Sequence, residues 1–307
     1  MPHCAASSPD NGVAAVIVSY HPCLDTLKKQ LDRLRTQVQA IIIVDNGSCP
    51  DLADWLHAQG LAGVEVLALQ DNQGLACAQN QGIAWVRRQM GLHDVLLMDQ
   101  DSLPAADMVQ QLLRVRAQLA SQGLRVGAVG PRYVDPRQDN PPPFIQIQRL
   151  RLKRHRCQPE HLPVAVDYLI ASGSLIAVQT LDIVGDMQEA LFIDYIDIEW
   201  GMRARLQGFA HFGVCTAHME HALGDAALSF GRRKIPLHSP LRHYYHFRNA
   251  IWLYQQPWVP LNWKCVDGWR LILRYGFYLL LAKQRRERWR KIHLGLWHGW
   301  RQRMGRL

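Results

Sequence analysis

The sequence predicts an α/β chain, a mostly parallel sheet flanked by helices, that ends in a basic, tryptophan-rich helical segment. Over the first 130 residues short β-rich apolar runs alternate with longer helical patterns, as crossovers between parallel strands require. Polar clusters follow the C-terminal ends of those runs, the edge where open α/β sheets bind ligands. Residues 231–307 hold 17 lysines and arginines against only Asp267 and Glu287, and 7 of the 10 tryptophans.

The elements follow in order. Val13 to Ser19 reads as the first strand, and the pattern from about Leu24 to Val38 as a helix. Ile41 to Val44 forms a second strand ending at Asp45-Asn46-Gly47-Ser48, before a helix from about Asp51 to Ala58. Val64 to Leu69 leads to Asp71-Asn72-Gln73-Gly74 and a helix from Leu75 to Gln89. Val95 to Met98 stops at Asp99-Gln100-Asp101; a helix from about Ala105 to Gln122 and a strand from about Val126 to Gly130 come next. The proline-rich loop from Asp135 to Pro143 separates a donor half, 13–134, from an acceptor half, 165–230. Ile145 to Arg156 alternates as an exposed hairpin would, and Tyr168 to Val178 reads as another strand. Residues 1–230 thus form one domain and 231–307 a helical extension.

Composition bounds the function. The start MPHCAASSPDNG has no basic and apolar export signal, so the expected compartment is the cytoplasm. Seven scattered cysteines without a CxxC pair predict reduced packing residues rather than disulfides or structural zinc. The net charge of +9 divides into +15 for residues 231–307 and −6 for 1–230. Basic residues interleaved with tryptophan suit the surface of an anionic membrane. The longest uncharged apolar run there, Tyr275 to Ala282, is too short to span one. The same tryptophans could instead close the core or a dimer interface, and no nucleic acid is expected as a partner.

Four clusters carry chemistry. Asp99 and Asp101 after a strand could hold Mg²⁺ or Mn²⁺ against a diphosphate, or form a solvated turn. Asp45 could accept from a nucleotide base or ribose, or merely order its turn. Asp197 falls at a helix start, where backbone N–H groups favour the ionised carboxylate of a general base. Equally, Asp194 could cap that helix and Glu199 pair with Arg203. His218 and His221 are either surface residues or metal ligands. A nucleotidyltransferase would need a glycine-rich phosphate loop, which Tyr20-His21-Pro22 is not, and a non-catalytic membrane or nucleic-acid scaffold would have no use for all these carboxylates.

The ordered set VAAVIVSYHP, IIIVDNGS, LQDNQGLACAQNQGI, VLLMDQDSLP, SGSLIA, FIDYIDIEWGMRARLQGF and MEHALGD resembles glycosyltransferase family 2, and HSPLRHYYHFRNAIWLY resembles its rhamnosyltransferase subgroup. The resemblance implies a GT-A fold, Rossmann-like, and inverting transfer of L-rhamnose from dTDP-L-rhamnose, or otherwise of a hexose from a UDP-sugar. The implied acceptor is a glycan or lipid-linked saccharide of a bacterial surface polysaccharide such as O-antigen, at the inner face of the membrane. The implied donor site comprises Ser19, Tyr20, Asp45, Asn46, Asn72, Gly74, Asn80, Asp99, Gln100 and Asp101. Asp99, Asp101 and His221, with His218 as second choice, are the implied ligands of Mg²⁺ or Mn²⁺, and Asp197 the implied catalytic base.

Overall fold

The computed structural model describes residues 10–307 except 49–51, 62, 136–142, 158–161, 222–225, 231–232 and 283. The donor half runs β1 (Val13–Ser19), α1 (Leu24–Leu34), β2 (Ala40–Asp45), α2 (Leu52–Ala58), β3 (Val64–Ala68), α3 (Leu75–Arg87), β4 (Asp94–Asp99), β5 (Ser102–Pro104), α4 (Met108–Ser121) and β6 (Val126–Val134). A hairpin, β7 (Phe144–Gln148) and β8 (Arg151–His155), is followed by β9 (Val164–Val166), β10 (Leu175–Ala177), α5 (Val178–Val184), α6 (Ile196–Leu206) and β11 (Ala210–His221). A second hairpin, β12 (Ala226–Phe230) and β13 (Arg233–Leu237), precedes helices α7 (Pro240–Gln255), α8 (Leu261–Leu281) and α9 (Arg285–Trp300).

Nine strands form one sheet in the order β3-β2-β1-β4-β10-β6-β11-β5, with β9 paired to β11. The strands β3, β2, β1 and β4 run parallel, as do β6 and β11, while β10 lies antiparallel between β4 and β6. Residues such as Ile17, Ile43 and Leu96 fill one face of the sheet beneath α1 and α4; Val16, Ile42 and Leu97 fill the other beneath α3 and α6. Strands buried on both faces are continuous apolar runs for this reason. The parallel register sets Ser19 beside Asp45 and Val18 beside Asp99, so both carboxylates leave the sheet at its C-terminal edge.

Several expectations need correction. The stretch from Tyr168 to Val178 is a strand only over Leu175–Ala177, because a turn at Gly173, φ +82°, redirects the chain. The strand β11 had no predicted counterpart. Cys157 and Cys215 form a disulfide, contrary to the reduced state expected of scattered cysteines; their spacing of 58 residues hides a pairing that the fold creates. Cys23, Cys77 and Cys265 are free. Most of the proline-rich loop, and Leu223-Gly224-Asp225, lie outside the described residues.

Helices α7, α8 and α9 bury Phe247, Leu253, Trp263, Leu271, Tyr278 and Ile292 in a core that includes Tyr195 and Met202 of the acceptor half. Trp263 thus serves packing, whereas Trp269, Trp289, Trp297 and Trp300 remain exposed. Among the described residues no helix is long and apolar enough to cross a membrane.

Candidate active site

Strand β4 ends at Asp99, and Asp101 follows in the tight turn before β5. Two glutamines help to hold this turn. The Gln30 amide of α1 donates to the carbonyls of Asp99 and Ser102, 2.7 Å each, and the Gln100 side chain both donates to the Tyr20 carbonyl, 3.1 Å, and accepts from its N–H, 2.6 Å. Gln100 is thereby engaged in joining the ends of β1 and β4. Gln30 lies on the buried face of α1 beside Leu27, Leu31 and Leu34; a polar residue at a core position is the signal that could have found it.

Strand β11 brings His221 directly opposite Ser102 of β5. Its Nδ1 lies 2.8 Å from Ser102 Oγ and 3.4 Å from Asp101 Oδ1, and its Nε2 lies 4.0 Å from Asp99 Oδ2. One ligand atom from each of Asp99, Asp101 and His221 falls within 4.8 Å of the others. Two carboxylates and an imidazole are a donor set that suits Mg²⁺ or Mn²⁺ when phosphate oxygens and water complete the shell. His218, three residues earlier on the strand, must point to the opposite face, since side chains alternate with period two. Burial works to lower the His221 pKa, but Asp101 and Asp99 overcome it and hold the imidazole above its ordinary value. The same burial raises Asp99.

The Asp45 turn is closed by the chain's own donors. Ser19 Oγ and Ser48 Oγ donate to Asp45 Oδ1 at 2.9 and 2.5 Å, and the Ser48 N–H donates to Oδ2 at 2.9 Å. The turn-ordering reading is therefore realised, and a carboxylate has acceptor capacity beyond three donors for a further one. Asn46 and Asn72 join this turn to the next: Asn46 Nδ2 donates to Asn72 Oδ1 at 3.1 Å, and Asn46 Oδ1 accepts from the Gln73 N–H at 2.9 Å. Gly47 and Gly74 have φ of +84° and +92°, and a Cβ at either would fall within 3 Å of Asp71 or Phe192. Asn80 lies deeper. Its amide makes three bonds, to the Met187 backbone N–H and carbonyl and to Glu189, so it fastens α3 to the acceptor half.

The acceptor half presents Asp197 in the first turn of α6. Its Oδ1 accepts from the Ile198 N–H at 2.8 Å, as a helix start favours, yet burial outweighs that bond. With the negative charges of Asp194 and Asp99 adding to burial, its pKa is pushed up to about 6. The lowered pKa implied by a helix terminus is thus reversed, although the group stays mostly ionised at neutral pH. The charge of Asp99 reaches Asp197, and Tyr133, whose ring is 6.0 Å from that of His221, has its pKa pushed up to about 12 by burial, Asp135 and Asp197. The acidic cluster and Asp197 accordingly belong to one region.

Asp194 does not cap α6. It pairs with Arg242 of α7 at 3.1 Å; burial opposes its ionisation, but Arg242 and His246 bring its pKa below the ordinary value. The i, i+4 pair of Glu199 and Arg203 forms at 2.6 Å. Phe192, Asp194 and Tyr195 all have φ between 64° and 68°, a left-handed conformation that costs each side chain energy. The restraint comes from α7. Fully buried Asn249 donates to the carbonyls of Leu191, Ile193 and Asp194 at 2.7–2.9 Å, and fully buried Arg248 donates to those of Ala190 and Leu191 at 3.1 and 2.8 Å. Tyr195 Oη donates to Asp267 of α8 at 2.9 Å. Arg242, Arg248 and Asn249 carry no assigned role in the motif reading, since a buried Arg-Asn pair on a helix reveals its targets only in three dimensions.

Known proteins resemble this chain in sequence and in fold. Glycosyl transferase family 2 matches residues 15–165. The dTDP-rhamnosyl transferase RfbF of Shigella flexneri is 32% identical over 254 residues, covering 82% of this chain and 83% of its own. Solved structures with the same fold include GalNAc-T7 bound to UDP, GalNAc and Mn²⁺, with a TM-score of 0.56 and 13% identity over 88% of this chain and 56% of that one. Residues 1–349 of S. aureus TarS in complex with UDP-GlcNAc match with a TM-score of 0.56 and 12% identity, over 94% of this chain and 81% of that one. At such identities the solved structures speak for the GT-A fold alone. With a relative this similar along most of both chains, and with the family model matching residues 15–165, the protein belongs to glycosyl transferase family 2.

Proposed function

We propose that this protein is an inverting rhamnosyltransferase that moves L-rhamnose from dTDP-L-rhamnose to a saccharide acceptor of bacterial surface polysaccharide synthesis. The grouping of Asp99, Asp101 and His221 beside Asp197 carries the proposal, and the likeness to RfbF supports the donor. The nucleotide lies along the β1, β2 and β4 edge, near Ser19, Tyr20, Asp45, Asn46, Asn72 and Gly74. Asp99, Asp101 and His221 would hold Mg²⁺ or Mn²⁺, whose charge offsets that gathering on the departing diphosphate.

Asp197 Oδ removes the proton from an acceptor hydroxyl as that oxygen forms its bond to the anomeric carbon. The bond from that carbon to the diphosphate breaks with its electron pair leaving on dTDP, and attack from the opposite face inverts the configuration. A carboxylate with pKa near 6 suits this, because it is ionised at neutral pH yet basic enough to accept the proton as the bond forms. Arg242 pairs with Asp194 and so offsets the charge of a carboxylate that acts on Asp197.

The acceptor, in this reading, is a lipid-linked glycan met at the inner face of the membrane. Turnover of a panel of dTDP- and UDP-sugars by the purified chain, with Mn²⁺ and with a chelator, tests the donor. Preference for dTDP-rhamnose with loss of activity on chelation is expected; turnover of UDP-hexoses alone would replace the donor assignment.

A further inference from the structure

Helix α8 has two dissimilar faces. Trp263, Asp267, Leu271, Tyr278 and, just beyond its last turn, Ala282 are buried, on the side that packs against α7, α9 and the acceptor half. On the opposite side Leu261, Trp269, Ile272, Leu273 and Leu280 are 75, 62, 62, 54 and 69% exposed. Successive steps of three and four residues place them in one stripe with Gly276, and the stripe contains no charged residue. Contiguous exposed apolar surface of this kind marks an interaction site. At the end of the stripe, α9 opens with exposed Arg285, Arg286 and Arg290 and exposed Trp289.

We propose that this face of α8, with the arginines that open α9, is the surface by which the protein docks in the plane of an anionic lipid bilayer. The composition selects this occupant. A large apolar stripe bordered by arginine and tryptophan complements acyl chains beneath anionic headgroups. A second copy would be poorly received, because on this face exposed Arg285, Arg286 and Arg290 outnumber the one exposed acidic residue among them, Glu287. Two such faces would bring like charges together.

Position gives the surface a function. Asp267, on the inner side of the same helix, accepts from Tyr195, two residues before Asp197. A bilayer on the outer side of α8 therefore lies about one helix diameter, roughly 10 Å, from the loop that leads to the proposed base. A saccharide on a lipid carrier could reach Asp197 without leaving the membrane. This last step rests on the transferase reading; the docking surface does not.

The full chain should co-sediment with vesicles containing phosphatidylglycerol and not with pure phosphatidylcholine vesicles, and salt should weaken the binding. Arg285→Gln, Arg286→Gln and Arg290→Gln together should weaken it on the order of 100-fold. Trp269→Glu with Ile272→Glu should weaken it by a similar factor or more, while leaving hydrolysis of soluble nucleotide sugar unchanged. Equal binding to neutral vesicles, no binding, or a dimer dissociated by the Trp269 and Ile272 changes would overturn the proposal. Vesicle binding without sugar transfer would sink the transferase reading alone, and transfer to a soluble acceptor without vesicle binding would sink the docking surface alone.

Discussion

Replacing Asp197 by Asn should make the protein more stable and nearly inactive. The folded carboxyl has its pKa raised from 3.8 to about 6, chiefly by burial, so between those values the folded chain retains a proton that the unfolded chain has released. Stability contributed by this group therefore falls as pH rises through that window and stays reduced above it. Two pKa units correspond to about 3 kcal/mol, an upper value because the group is partly reached by solvent. Asn keeps the oxygen that accepts from Ile198, carries no charge and so recovers that amount above pH 6. For 307 residues the gain is roughly 4–5 °C in Tm. Calorimetry of both proteins with a chelator present should show the gain at pH 8 and little difference at pH 4. Turnover should drop by about 10²–10⁴-fold, the usual contribution of a general base. A variant no more stable at pH 8 would refute the burial argument, and near-normal turnover would remove Asp197 from the proposed chemistry.

Asp101→Ala and His221→Ala should each abolish the Mn²⁺-dependent part of donor binding in calorimetric titration, whereas His218→Ala should leave it within about twofold, because β11 turns that ring to the other face. Asn249→Ala removes a donor from three backbone carbonyls, of which Leu191 keeps that of Arg248, and should lower stability by about 1–3 kcal/mol, read by urea unfolding, while reducing kcat more than donor affinity. Gln30→Leu removes two of the hydrogen bonds that hold the Asp99–Ser102 turn and should weaken Mn²⁺ binding without changing the helical circular dichroism signal. Asn80→Ala should cost stability, about 1–3 kcal/mol by the same unfolding assay, and leave donor affinity nearly unchanged in any variant that still folds.

The donor half was legible because its signals are local. Four apolar runs, each ending at or shortly before a Ser or Asp, place both the strands and the binding edge, and Val13–Ser19 is found as read. Where pairing partners are distant, legibility fails. β11 is two-thirds small and polar residues, Ala, Gly, Cys, Thr and His, and is a strand because β6 pairs along one of its edges while β9 and β5 pair with separate stretches of the other. That strand sets His221 beside Asp99 and Asp101, a neighbourhood that spacing alone, which left both histidines open, could not show. The disulfide of Cys157 and Cys215 and the bond of Gln30 to a turn some seventy residues away are invisible for the same reason.

The basic C-terminal segment looks in the sequence like an appendage, and its burial assigns it a larger part. A loop with three left-handed non-glycine residues, Phe192, Asp194 and Tyr195, stores about 1–3 kcal/mol at each, and does not persist unless its surroundings outweigh relaxation. The donor half offers one backbone bond, from the Leu75 N–H to the Phe192 carbonyl at 2.7 Å. The polar restraints from Arg242, Arg248, Asn249 and Asp267 come from α7 and α8. Removing those helices would leave the sheet and the acidic cluster intact but release the loop before α6, and with it the placement of Asp197. A chain ended at residue 237 should therefore retain Mn²⁺-dependent nucleotide binding, provided it folds, and lose transfer. Transfer at the full rate by such a chain would mean that the loop holds its own shape.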